Sequence, residues 1–93
     1  MFLGAWLSRT ASSLAPSRQP FRHTHPGEEI TYVLEGSVEY SIDGQALATY
    51  NAGDALMVAP QTVHAVRNVG RGGAALLSTY FVEKGKPFLV VVE

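Results

Sequence analysis

Residues 23–36 read His23-Thr24-His25-Pro26-Gly27-Glu28-Glu29-Ile30-Thr31-Tyr32-Val33-Leu34-Glu35-Gly36, and the fold turns on how that stretch is taken. On an extended strand, residues two apart project from one face, so His23 and His25 can converge on a single point. His25 and Glu29 also stand at i, i+4, which would suit a helix. Pro26-Gly27 lies between them and argues against one, because proline removes a helical donor and glycine weakens helix propensity. The H-E-x-x-H order of helical zinc sites is absent as well. The strand-and-turn reading is preferred. The third and last histidine, His64, precedes Ala65-Val66-Arg67-Asn68.

Imidazole and carboxylate together suit borderline divalent metals such as Zn, Fe, Ni, Cu and Mn. His23, His25, Glu29 and His64 would fill four coordination positions. A metal that prefers six would keep two adjacent positions for substrate, water or dioxygen. Glu29, were it to swing off such a metal, could act as a general base. The plainer alternative is a polar loop with unrelated histidines, and for His64 a core or turn histidine satisfied by backbone.

Outward from this stretch the chain reads as all-β. Ile30 to Leu34 is a β-branched and aromatic run ending at Glu35-Gly36. Ser37 to Ile42 alternates, with Val38, Tyr40 and Ile42 against Ser37, Glu39 and Ser41. Asp43-Gly44 is a favoured hairpin turn, predicting a return over Gln45 to Tyr50. Further strands are predicted over Ala55 to Val58, His64 to Val69, Ala74 to Val82 and Phe88 to Val92, separated by Gly-rich or Pro-containing turns. No long segment shows a helical period. Such spacing predicts a jelly-roll sandwich or barrel. Glu29, Thr31 and Val33 share one face; Ile30, Tyr32 and Leu34 share the other. Both faces need covering, one by the interior and one by a second sheet or subunit.

Ninety-three residues make one domain. A hydrophobic content of 46% with only 16% charged residues excludes an ordinary disordered segment. The formal net charge of −1 gives no reason to expect a nucleic acid or an anionic membrane surface as partner. Without cysteine there is no disulfide framework and no thiolate ligand. No apolar stretch approaches the ~20 residues of a membrane-spanning helix. A soluble, cytoplasmic protein is expected.

Residues 1–22 differ in composition, carrying Arg9, Arg18 and Arg22 but no acid, the first carboxylate being Glu28. This is either an N-terminal targeting segment of presequence type or an irregular N-terminus. Residues 1–18 are expected to be irregular and residues 19–93 to form the domain, with Gln19 to His25 at most an edge strand. The energetic ground is that a Ser/Arg/Ala-rich segment has little apolar area to offset an ordering cost of about 1–2 kcal/mol per residue.

Two motifs carry a resemblance. His23-x-His25, three residues, Glu29, six residues and Gly36 resemble the first motif of the cupin superfamily. Gly53, ten residues, His64, three residues and Asn68 resemble the second. The 16 residues between them, Ser37 to Ala52, suit small single-domain cupins of quercetin-dioxygenase-like type. The resemblance implies a jelly-roll barrel, incomplete at its N-terminal edge, with one divalent transition metal (Fe, Mn, Ni, Zn or Cu) held by His23, His25, Glu29 and His64. It implies turn roles for Gly36 and Gly53, and a bracing role for Asn68. Three positions depart from the pattern: Ser17 replaces the first glycine, Pro60 falls one residue late, and Thr62 stands where glycine is expected.

The function expected is that of an oxygenase-like, lyase or isomerase enzyme acting on a small organic molecule. A non-catalytic small-ligand or sensor protein with a structural metal is the alternative. A homodimer is expected from the doubled apolar parity at Ile30 to Leu34. Tyr32, Tyr40, Met57, Tyr80 and Phe81 are candidates for lining a pocket. Arg67 has the wrong parity to face His64, and Arg22 is expected to be a surface charge.

Overall fold

The structure, a computed structural model, describes residues 5–14, 21–83 and 85–92. Among them are nine strands: β1 (Ala5–Leu14), β2 (His23–Thr24), β3 (Glu29–Glu35), β4 (Ser37–Ile42), β5 (Ala48–Asn51), β6 (Ala55–Val58), β7 (His64–Asn68), β8 (Ala74–Glu83) and β9 (Val90–Val91). They form two antiparallel sheets, one in the order β1-β8-β3-β6 and one in the order β5-β4-β7-β2-β9. No ladder joins the two sheets among the described residues, so the expected barrel is realised as two facing sheets. No helix among these residues is long and apolar enough to cross a membrane.

Alternation decides which side chains fill the space between the sheets. Glu29, Thr31 and Val33 of β3 are buried, and Ile30, Tyr32 and Leu34 are exposed. On β4, Val38, Tyr40 and Ile42 are buried. The core joins these to Leu56, Val58, Ala74 and Leu76, with Tyr50 and Val66 packed against them. Both sheets therefore give one apolar face to a common interior, the ordinary way a β-sandwich removes apolar area from water.

Several expectations need correction. Ala5–Leu14 is not irregular: it is a ten-residue strand whose register runs from Ala5 opposite Glu83 to Leu14 opposite Ala74. Main-chain ladder bonds do not depend on side-chain type, and an unpartnered β8 would be a long open edge. An estimate based on apolar side-chain area misses that contribution. Residues 1–4 and 15–20, Ser17 and Gln19 among them, lie outside the described residues. β2 is not an edge strand, because it lies between β7 and β9, with His23 opposite both His64 and Val91. The return strand after Asp43-Gly44 starts at Ala48, opposite Tyr40. The turn itself forms as expected, with Gln45 N donating to Ile42 O at 3.0 Å. The last strand is shorter than its apolar run, spanning only Val90–Val91.

The motif turns rest on unusual backbone. Gly36 has φ of +80°, and a Cβ there would meet Gly73 O at 2.7 Å, so β3 can turn into β4 only through glycine. Before His64 the left-handed residue is Gln61, with φ of 59°, and not Thr62. Counting back from His64, position 61 is where the second motif places its glycine, which corrects the assignment to Thr62. Gln61 N donates to His25 O at 2.9 Å, tying the turn of the second motif to the first.

Two outcomes follow from this backbone. Removing residues 1–14 uncovers ten register positions of β8, so thermal unfolding should occur at lower temperature and light scattering should show self-association. A deletion variant that melts and scatters like the full chain would refute the structural role of β1. Gln61→Gly should raise unfolding stability by roughly 0.5–1 kcal/mol in chemical denaturation, since relief of left-handed strain exceeds the entropic cost of glycine. Thr62→Gly should lower it. The reverse order would return the strained position to Thr62.

Candidate metal centre

His23 lies on β2, directly opposite His64 at the start of β7. His25 follows β2, and the Pro26-Gly27 turn then leads to Glu29 at the start of β3. Gly27 is required in that turn because a Cβ would collide with the carbonyl of Phe81. All four side chains are buried. Each offers one ligand atom, and those atoms all lie within 4.8 Å of one another. The structure thus brings together His23, His25, Glu29 and His64, residues drawn from both sheets and separated by up to 41 positions in sequence.

Backbone carbonyls orient each imidazole. Nδ1 of His23 faces Phe21 O at 3.2 Å, Nδ1 of His25 faces Phe88 O at 2.9 Å, and Nδ1 of His64 faces Thr62 O at 2.9 Å. A carbonyl only accepts, so each Nδ1 carries the proton. The Nε2 of His23 and of His25 is then the lone-pair nitrogen, the arrangement in which histidine binds metals. His25 Nε2 is the decisive atom. It is buried without a hydrogen-bond partner and lies 3.5 Å from Glu29 Oε1. An unsatisfied buried polar group costs about 1–3 kcal/mol. A cation shared with the neighbouring carboxylate would remove that cost. The donor set therefore fits a divalent ion, and the four residues form a group that could hold one.

Electrostatics agree with this arrangement. Burial is the main influence on His23 and His25 and pushes both below the ordinary histidine pKa, keeping them neutral. Burial alone would raise the Glu29 carboxyl. Hydrogen bonds from His64, Thr31 and Tyr40 outweigh it and hold Glu29 below the usual carboxylate range. For His64 burial acts downward, yet the bond to Glu29 prevails and raises it. His64 has acceptors at both nitrogens, Thr62 O and Glu29 Oε1 at 3.0 Å, so without a cation it pairs with Glu29 as imidazolium.

Glu29 is held more firmly than its place in the motif implied. Its Oε2 accepts from Thr31 Oγ1 at 2.6 Å and from Tyr40 Oη at 2.9 Å. Ser78 Oγ lies 2.8 Å behind Thr31 Oγ1. These contacts weigh against a Glu29 that swings away to act as a base. Thr31 shares a face with Glu29, which parity alone could have flagged. Ser78 and the Phe88 carbonyl carry no motif and appear only in the folded chain. Of the candidate pocket residues, Tyr40 lies in the core and Tyr80 packs at a tilt against His25, with ring centroids 4.7 Å apart. Tyr32, Met57 and Phe81 are exposed instead. Phe21 and Phe88 pack on His23 and His25 at 4.9 and 5.1 Å, giving the histidines an aromatic surround. Arg67 bonds Glu39 at 2.8 Å and Arg22 pairs with Asp43 at 3.4 Å, both exposed.

Asn68 does brace its strand end. Its Nδ2 donates to Gly72 O at 2.7 Å and its Oδ1 accepts from Gly70 N at 2.8 Å.

Solved structures share this architecture. An uncharacterized conserved protein with a double-stranded β-helix domain from Klebsiella pneumoniae superposes with a TM-score of 0.74 at 24% identity, covering 94% of this chain and 75% of that one. Oxalate decarboxylase from Lactobacillus farciminis gives 0.78 at 18%, covering 92% of this chain and 26% of that one. A DMSP lyase from Ruegeria pomeroyi gives 0.78 at 22%, covering 92% and 43%. At these identities the likeness is one of fold. No curated protein matches the sequence. A family model described as the cupin domain matches residues 12–80, from the end of β1 to Tyr80 in β8. With both motifs in order on two facing sheets and most of its length matched, the chain belongs to the cupin family.

Proposed function

We propose that His23, His25, Glu29 and His64 hold one divalent transition ion and that the chain is a metal-dependent enzyme acting on a small organic molecule, by oxygenase-like, lyase or isomerase chemistry. The observation that carries this reading is the orphaned, buried Nε2 of His25 beside the Glu29 carboxylate. The imidazole and carboxylate donors suit Fe, Mn, Ni, Zn or Cu. Two of the similar folds belong to proteins named as a decarboxylase and a lyase, which supports an enzymatic reading of the same architecture. When bound, such an ion polarises a substrate oxygen and lowers its pKa.

The protein's own contribution is orientation and exclusion of water. The carbonyls of Phe21, Phe88 and Thr62 fix the rings, Thr31 and Tyr40 hold Glu29, and the aromatic side chains of Phe21, Tyr80 and Phe88 give a substrate an apolar wall. Arg22 and Arg67 are engaged with Asp43 and Glu39 at the surface. The chemistry of the wall therefore favours a substrate bound through its oxygen atoms and an apolar body.

Elemental analysis of the purified protein should find about one divalent transition ion per chain. His25→Ala and His64→Ala should each remove most of it. Full metal in a His23→Ala/His64→Ala double variant would refute the site. Oxygen uptake and product analysis with flavonols and small diones then separate enzyme from carrier: turnover that depends on the metal supports the enzyme, and tight binding without turnover supports a small-ligand protein.

We also infer a homodimer. Ile30, Tyr32 and Leu34 are 44–48% exposed, and Met57, opposite Ile30 on β6, is 61% exposed. Together they make an apolar outer face on one sheet, of the kind that marks an interaction surface. Light scattering at micromolar concentration should give the mass of two chains, and Tyr32→Glu should shift it toward one. A wild-type monomer would refute the inference.

A further inference from the structure

The bonds around Glu29 have a fixed direction, and that direction has a consequence for a bound metal. A carboxylate only accepts, so Thr31 Oγ1 and Tyr40 Oη both donate to Oε2. The single proton of Thr31 is thereby committed, and the 2.8 Å contact with Ser78 Oγ must be a bond that Ser78 donates. The chain runs one way, from Ser78 to Thr31 to Glu29, with Tyr40 arriving at the same oxygen from the opposite sheet. Ser78 lies on β8, Thr31 and Glu29 on β3, and Tyr40 on β4. All four side chains are buried, so water does not compete for these bonds. The other oxygen, Oε1, lies 3.0 Å from His64 Nε2 and 3.5 Å from His25 Nε2. The two carboxylate oxygens thus have separate duties.

We propose that Ser78, Thr31 and Tyr40 are positioning residues that reserve Glu29 Oε2 and so present Glu29 to the metal through Oε1 alone. This rests on the metal reading above. A carboxylate free to rotate could offer both oxygens and occupy two positions around the ion. One whose second oxygen carries two O–H bonds offers one, leaving a further position for a substrate oxygen. Tyr40 adds a second role, since its bond spans the interior and sets the distance between the β3 ligand and the sheet carrying His23 and His64. Partners that orient a ligand in this way are typically worth 10–100-fold in metal affinity.

The test uses the full chain loaded with Co(II), whose visible spectrum reports coordination number, alongside Mn(II) affinity by calorimetry. Tyr40→Phe and Thr31→Val each remove one donor with little change of shape. Each should weaken Mn(II) binding by about 10–100-fold and shift the Co(II) bands toward a higher coordination number. Thr31→Ser, which keeps the hydroxyl, should restore both properties. Ser78→Ala should give a smaller loss of the same sign. Should Tyr40→Phe unfold, the Thr31 pair decides the matter, because valine keeps the shape of threonine and loses the donor, while serine keeps the donor and loses only the methyl group. Unchanged affinity and spectrum in folded Thr31→Val would overturn the proposal while the metal site stands. A wild-type chain that takes up neither ion would instead overturn the metal reading beneath it.

Discussion

A single ionised carboxylate between two sheets is the constraint on which this structure depends. Burying an unpaired charge costs far more than a small domain can tolerate, and Glu29 is buried at the start of β3. It persists because three polar side chains converge on it: Thr31 from its own strand, Tyr40 from β4 and His64 from β7. Those partners belong to both sheets. The same atoms that neutralise the charge also set how far apart the sheets stand at this end of the sandwich.

The backbone is arranged to deliver these groups. β2 is only two residues long, yet it is paired on both sides, which places His23 against His64 and brings the C-terminal segment alongside. That segment supplies the Phe88 carbonyl that orients His25. Gln61, in a left-handed conformation, lets its N–H reach the His25 carbonyl. Gly27 admits the Phe81 carbonyl where any side chain would collide. Strain and close approach gather around the histidines, while the regular ladders of β3, β4 and β8 hold the frame. Strained backbone concentrated at a site, supported by over-determined structure elsewhere, is the pattern expected of a functional centre.

The interior end of the sandwich is polar and the rest apolar. Val33, Val38, Ile42, Leu56, Val58 and Leu76 provide the hydrophobic driving force, and Tyr40 stands at the boundary. Its ring belongs to the core and its hydroxyl to Glu29. One residue therefore links packing to the chemistry of the cluster, which is how an apolar core comes to hold an ionised group in one orientation.

Local pattern determined a good deal of this protein. The alternation of β3 and β4, the Asp43-Gly44 turn, and the two spaced sets containing His23, His25, Glu29 and His64 were legible because strand periodicity and motif spacing are properties of neighbouring residues. The tertiary structure alone decided the rest. It made Ala5–Leu14 a strand, because main-chain pairing with β8 leaves almost no mark on side-chain composition. Position 61 follows from counting back from His64, but only the structure shows that Gln61 adopts the left-handed conformation there. It brought Ser78 behind Thr31 and the Phe88 carbonyl onto His25, contacts 47 and 63 residues apart. Such partners are selected by where strands cross, and no local periodicity records that.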